Sequence, residues 1–194
     1  MPQDISTYTA QYFGTSPEQA ERLAGHFVTR AYQRGDALVS IGQQRVGLYF
    51  VQSGYVRMYH THPDTGKEIT QWIAAPGGFA TDAGALFMGL PSRWRIEMLT
   101  DGQLSVLNYE AYRTLAEQLP EWPLLERAFI KKCFYAIEQR VYAHLSLSAE
   151  GRYHTLLEQQ PDLFNHVPLQ YIASMLGMSP ETLSRVRARA SRTS

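Results

Sequence analysis

Apolar positions along this chain change period twice, and each change marks a new kind of element. After Ser16-Pro17-Glu18, the residues Leu23, Phe27 and Ala31 recur at helical spacing. Ser16 supplies a side-chain acceptor for a helix N-terminus, Pro17 fits the first helical position, and Glu18 favours the first turn. Beyond Gly35-Asp36 the period falls to two. Strands are predicted over residues 37–41, 48–52, 55–61, 68–75, 93–99 and 103–107. Ser53-Gly54, Asp64-Thr65-Gly66, Pro76-Gly77-Gly78 and Asp101-Gly102 separate them. Asp101-Gly102 predicts a two-residue hairpin, because both central positions of that turn favour positive φ. Many short strands with regular turns predict a sandwich or barrel-like β-roll.

The helical period returns near residue 121. Ile130, Phe134, Ile137, Val141 and Leu145 recur at steps of three and four, and Phe129, Cys133 and Ala136 widen the stripe. No glycine interrupts residues 121–146, and Pro123 lies in the first turn, where proline is tolerated. One long amphipathic helix is predicted. Its stripe has two readings: packing on the β domain, or a two-fold seam with a second copy of the chain through Ile130, Phe134, Ile137 and Val141. Ser148 then caps a helix over 149–159, Pro161 stops it, and short helices are predicted over 169–176 and 180–189. The expected organisation is an α+β chain. It comprises an antiparallel β-roll sensor domain of jelly-roll type (1–120), a dimerisation helix (121–146) and a winged helix-turn-helix domain (147–194).

The segment from Val167 to Arg187 carries the most specific chemistry. Ala173 is small where two helices must cross closely. Gly177, four residues on, can adopt the left-handed conformation that ends a helix. Ser179 caps the next helix and Pro180 opens it. Ile172, Leu176, Leu183 and Val186 face inward. Glu181, Ser184 and Arg185 then face outward at the start of the second helix, where a recognition helix meets base edges. Arginine offers a bidentate fork to guanine, glutamate accepts from cytosine, and serine serves base or phosphate. Thr182 lies on the same turn, and Arg187, Arg189 and Arg192 are placed for phosphates.

Charge supports this placement. The whole chain is neutral, with 18 basic and 18 acidic residues, which by itself argues against nucleic acid. From Val167 onward, however, four arginines face one acid, Glu181. With 44% hydrophobic and 19% charged residues the chain has a folding composition. No apolar run is long enough to span a bilayer, and Met1-Pro2-Gln3-Asp4 lacks the basic and apolar segments of a secretory signal. The expected location is the cytoplasm, with no membrane partner.

The chain resembles the Crp/Fnr family of transcription regulators over nearly its full length. The most specific match is the run from Ile172-Ala173 through Leu176-Gly177-Met178-Ser179-Pro180 to Glu181-Thr182-Leu183-Ser184-Arg185. Its E-x-x-S-R pattern is similar to that of the Fnr-like branch, where these positions read a TTGA-type half-site. Tyr49-Phe50-Val51, Ser53-Gly54-Tyr55-Val56-Arg57, Gly66-Lys67-Glu68 and Gly78-Phe79 extend it into the β-roll. The resemblance implies a cyclic-nucleotide-binding-type roll, a dimer helix, a palindromic DNA operator, RNA polymerase as a further partner and an effector pocket around Phe79, Asp82, Arg93, Trp94 and Arg95. The family's phosphate cassette is altered here. Asp82 stands at the ribose-binding glutamate, and Ser92-Arg93-Trp94-Arg95 lacks the usual Arg–Ser order, although Arg93 or Arg95 offers a phosphate a fork. The expectation is therefore an unknown small-molecule effector other than cyclic AMP. Two alternatives are a ligand-independent regulator with a vestigial pocket, and a ligand- or protein-binding module that has lost DNA binding.

His60 and His62 share a strand face, but a metal needs three or four convergent ligands, so no metal is expected. Cys133 is the one cysteine, too few for an iron–sulfur cluster, and it has the setting of an inert packing residue. Trp72 and Trp94 suit the core or the lining of an apolar pocket. No phosphate-cradling loop, nucleophile elbow or metal-protease helix occurs, so neither enzymatic activity nor a cofactor is expected.

Overall fold

Alternating apolar residues of eight short strands meet between two antiparallel four-stranded sheets. In the computed structural model, which describes residues 5–193 except for the side chains of residue 13 and residues 191–193, two helices come first, α1 (Ile5–Phe13) and α2 (Pro17–Ala24). Strands β1 (Val28–Tyr32), β2 (Ala37–Val39), β3 (Leu48–Ser53), β4 (Val56–Thr61), β5 (Glu68–Ala74) and β6 (Phe79–Ala80) follow. Helix α3 (Ala83–Met88) precedes β7 (Arg95–Met98) and β8 (Gly102–Leu107). The sheets run β1-β8-β3-β6 and β2-β7-β4-β5. Val39, Val51, Val56, Ile96, Met98 and Leu104 fill the space between them.

Helix α4 (Tyr109–Gln118) leads to α5 (Trp122–Ser146), which is followed by α6 (Ala149–Gln159), α7 (Leu163–His166), α8 (Leu169–Met175) and α9 (Pro180–Thr193). The first half of α5 is held to the roll: Trp122, Leu125 and Phe129 are buried with Leu48, Leu107 and Leu115. The C-terminal helices share a core of their own, in which Ile172, Ala173, Leu176, Leu183 and Val186 meet Tyr55, Ile73 and Leu99 of the roll. Among the described residues no helix is long and apolar enough to cross a membrane. No strand follows β8 there either, so the helix-turn-helix carries no wing within them.

Three local expectations are corrected. Helical spacing carries Leu23 on to Ala31, yet α2 ends at Ala24, where the Gly25 N–H returns to Glu21 O at 2.9 Å. Residues 28–32 instead pair with β8, because a ladder of long-range hydrogen bonds outweighs local spacing for Val28 and Thr29. Asp101-Gly102 does not turn a hairpin, since β7 and β8 lie in different sheets. Gly102 is required for a close crossing: a Cβ there would lie 2.2 Å from Ser53 O. The strand expected over 93–99 is confined to Arg95–Met98. The caps at Ser16 and Ser148 form, each side chain accepting from a backbone N–H of the first turn.

Candidate nucleic-acid interface and effector cleft

The turn between α8 and α9 follows from its residues. Gly177 adopts φ +66°, the left-handed conformation open to glycine, and Met178 N–H closes back on Ala173 O at 3.0 Å. Ser179 Oγ accepts from Thr182 N–H at 3.2 Å, satisfying a donor left free at the start of α9. Leu183 and Val186 are buried against α8, which turns Glu181, Ser184 and Arg185 to solvent. Arg185 is steadied by Thr182, its Nη2 donating to Oγ1 at 3.3 Å. The Ser179 hydroxyl, a backbone N–H and Arg185 hold the Glu181 carboxyl below its usual pKa. Thr182 and Arg187 are half-buried, with Arg187 over the Phe164 ring, and Arg189 is exposed. The Arg192 side chain lies outside the described residues.

Helix α8 is fastened to the roll by polar contacts that periodicity does not reveal. β5 is the edge of its sheet, and Thr70 N–H donates to Ser174 Oγ of α8 at 2.9 Å. Arg57, only 1% exposed, lies between the rings of Tyr59 (4.0 Å) and Tyr171 (3.8 Å). It donates to Thr70 Oγ1 and Glu68 Oε2. From the other side, Arg140 of α5 donates to Met175 O at 3.2 Å and Arg152 of α6 donates to Leu176 O at 2.9 Å. These bonds satisfy carbonyls orphaned at the end of α8. The His144 ring packs on the turn, 3.2 Å from where a Cβ on Gly177 would stand.

Packing on the roll accounts for only the first half of the α5 stripe. Phe129 is buried on the roll, whereas Phe134 is 71% exposed and Leu145 83%. Ile130, Ile137 and Val141 are exposed with them, so one face of the second half of the helix is apolar and uncovered in the single chain.

Between α5 and the roll lies a cleft of about 860 Å³. Phe79, Asp82, Arg93 and Trp94 line it, as do Trp72 and Phe129. Arg95 does not: strand alternation turns it to the face opposite Ile96, where its Nε donates to Glu97 Oε2 at 3.2 Å. Asp82 is fully engaged. Its Oδ1 accepts from Gly84 and Ala85 N–H at the start of α3, and its Oδ2 accepts from Ser92 Oγ and Arg93 N–H. It therefore clamps α3 to the loop before β7. His60 Nδ1 is bonded to Arg93 O, His62 Nδ1 accepts from Asp64 N–H, and burial pushes the Cys133 thiol up. Among the described residues no group of three or more His, Cys, Asp or Glu is arranged to hold a metal ion.

An antiparallel roll, a long helix and a helix-turn-helix together make the fold of the Crp/Fnr regulators. Residues 29–119 match the family model of the cyclic nucleotide-binding domain. The chain is 30% identical over 109 residues to the cyclic AMP receptor protein of Thermus thermophilus, 56% of this chain and 50% of that protein, so it matches about half the length of that relative. FixK2 from Bradyrhizobium japonicum has a similar structure, with TM-score 0.71 at 18% identity over 86% of this chain and 85% of its own. The c-di-GMP responsive global regulator CLP of Xanthomonas campestris gives 0.66 at 19% identity over 92% and 93%. By its fold the chain matches Crp/Fnr structures.

Proposed function

We propose that the chain is a sequence-specific, DNA-binding transcription regulator acting as a homodimer on a palindromic operator. One observation carries this reading: Glu181, Ser184 and Arg185 form an exposed polar face at the N-terminal end of a helix whose opposite face is buried. Placed in the major groove, Arg185 donates its fork to guanine O6 and N7, Glu181 accepts from cytosine N4, and Ser184 bonds a base or phosphate. Ser179 and Thr182 hold that face in shape. Arg187 and Arg189 meet phosphates and add salt-sensitive affinity without sequence information. A seam through Ile130, Phe134, Ile137 and Val141 pairs two copies, so that half-sites fall about 10 base pairs apart. The cleft serves an effector other than cyclic AMP, a reading supported by the full engagement of Asp82 and the bulk of Trp94. RNA polymerase is the protein partner such a regulator would meet.

Selection from a random duplex pool tests the reading. The expected product is a two-fold-symmetric site with half-sites one helical turn apart. Failure to enrich any sequence would overturn it in favour of a binding module without DNA function.

A further inference from the structure

The cleft has features that point to the chemistry of its occupant. It is lined mainly by apolar and aromatic side chains, and its volume suits a small organic molecule. Its charged lining is one-sided. Asp82 is the one carboxylate, and four hydrogen bonds consume it, whereas Arg93, Lys132 and Arg140 all line the space. Lys132 is occupied by Tyr12, donating to its carbonyl and lying over its ring. Arg140 is half-buried, its charge disfavoured by burial; its side chain donates to a neutral carbonyl, Met175 O, and it makes no ion pair among the described residues.

A second, independent feature lies on β5. Met58 pairs with Trp72 and Tyr59 with Thr70, so Gln71 is the extra residue of a β-bulge. The bulge lets Gln71 and Trp72 both line the cleft, while Thr70 turns away to Arg57. Gln71 Oε1 is buried without a hydrogen-bond partner. Such an orphan calls for a donor, and the open space beside it is the cleft.

We infer that the cleft takes an amphipathic organic anion, its apolar body between the tryptophans and α5, its anionic head on Arg140 and a hydrogen-bonding group on Gln71. This inference rests on the regulator reading in one respect: the occupant is sensed by the helix-turn-helix. Arg140 is bonded to the last turn of α8, and His144, one turn further along α5 and also in the cleft wall, packs on Gly177. An anion drawing on the Arg140 guanidinium competes with Met175 O. Occupancy therefore bears directly on the turn that sets α9.

Anilinonaphthalene sulfonate, a fluorescent aromatic anion, is the probe, with neutral phenylnaphthylamine as its uncharged counterpart. The full-length protein should bind one sulfonate probe per chain. Arg140→Gln should weaken that binding about tenfold or more, as expected for loss of a charge-assisted contact, with the neutral probe affected less than about threefold on the same reasoning. Gln71→Leu, which leaves the α8 contacts in place, should also weaken binding of the natural class of ligand, read by displacement with hydroxynaphthoate. Displacement by decanoate or by naphthoate distinguishes an acyl from an aromatic body, and either supports the inference. Unchanged sulfonate affinity in Arg140→Gln, several probes per chain, or displacement by cyclic AMP at lower concentration than by either acid would overturn it. On a selected DNA site, the probe should change affinity at least about fivefold in the wild type and not in Arg140→Gln; an unmoved affinity in the wild type overturns the sensing step. If no DNA sequence is enriched while the Arg140-dependent probe binding persists, the regulator reading fails and the ligand assignment stands.

Discussion

Replacing Arg57 with methionine tests how the helix-turn-helix is fixed to the roll. The guanidinium is 1% exposed and donates at 3.0 Å to Thr70 and 2.7 Å to Glu68. Charge-assisted hydrogen bonds contribute about 1.5–3 kcal/mol each, and a desolvated cation–π contact contributes about 2 kcal/mol. Against them stands the cost of burying the cation, several kcal/mol. Neither partner carboxylate is stranded when the cation is gone: Glu68 is 43% exposed and taken over by water, and Glu97, 4.0 Å from Arg57 and 17% exposed, keeps Arg95 and the Tyr59 hydroxyl. The net loss expected for Arg57→Met is about 2–4 kcal/mol. Of these contacts, the one with Tyr171 reaches α8. A double-mutant cycle with Tyr171→Leu should isolate a coupling of about 1–2 kcal/mol. Urea unfolding at fixed protein concentration supplies the free energies. Trp72, Trp94 and Trp122 all lie in the roll and α5, so tryptophan fluorescence follows those parts and circular dichroism weights the helices. The two probes should coincide in the wild type, and the dichroism transition should come first in Arg57→Met, as the C-terminal helices loosen. A coupling below about 0.3 kcal/mol, within the error of additivity, together with coincident transitions in the variant, would refute the reasoning.

Three further predictions concern separate parts of the chain. Gln71→Leu should stabilise the ligand-free protein by about 1–2 kcal/mol, because it removes a buried unpaired acceptor; a lowered Tm would contradict this. Ile137→Asp should convert a dimer to monomers in sedimentation velocity, since it puts a charge in the middle of the exposed apolar face; a retained dimer would place the seam elsewhere. Gly102→Ala should cost about 3 kcal/mol or more, its methyl being driven against Ser53 O. Gly66→Ala, where φ is +66° and the methyl meets open space, should cost about 1–2 kcal/mol. Equal losses at the two glycines, measured by denaturation, would show that the close crossing is not what selects Gly102.

The elements legible in the sequence are those whose cause is local. Ser16 and Ser148 announce helices through caps that form, and Gly177, Ser179 and Pro180 specify the α8–α9 turn within a few residues. The face of Glu181, Ser184 and Arg185 is legible for the same reason, since Leu183 and Val186 fix the rotation of α9. Features with distant causes are hidden. Val28–Tyr32 is a strand because β8, some seventy residues away, pairs with it. Gly102 looks like a turn residue until the crossing chain at Ser53 is seen. Arg57, with an exposed-looking sequence context, is buried by Tyr59 beside it and by Tyr171 from another part of the fold. In the cleft, Phe79, Asp82, Arg93 and Trp94 are found together from the family resemblance. Gln71 depends on a bulge, and Arg140 on a helix terminus it reaches only after folding. A bulge directly after the β-branched pair Ile69-Thr70 leaves no periodic trace, and Arg140 reads as one more polar residue on a long helix.

The most direct test of the regulator reading compares the wild type with Arg185→Ala on a selected duplex and on a scrambled one, by fluorescence anisotropy over a range of salt. The account predicts that the variant loses about 1–3 kcal/mol on the selected site, keeps its affinity for the scrambled duplex, and retains a steep salt dependence from the phosphate contacts. Undiminished preference for the selected site in Arg185→Ala would contradict the assignment of α9 as the helix that reads the bases.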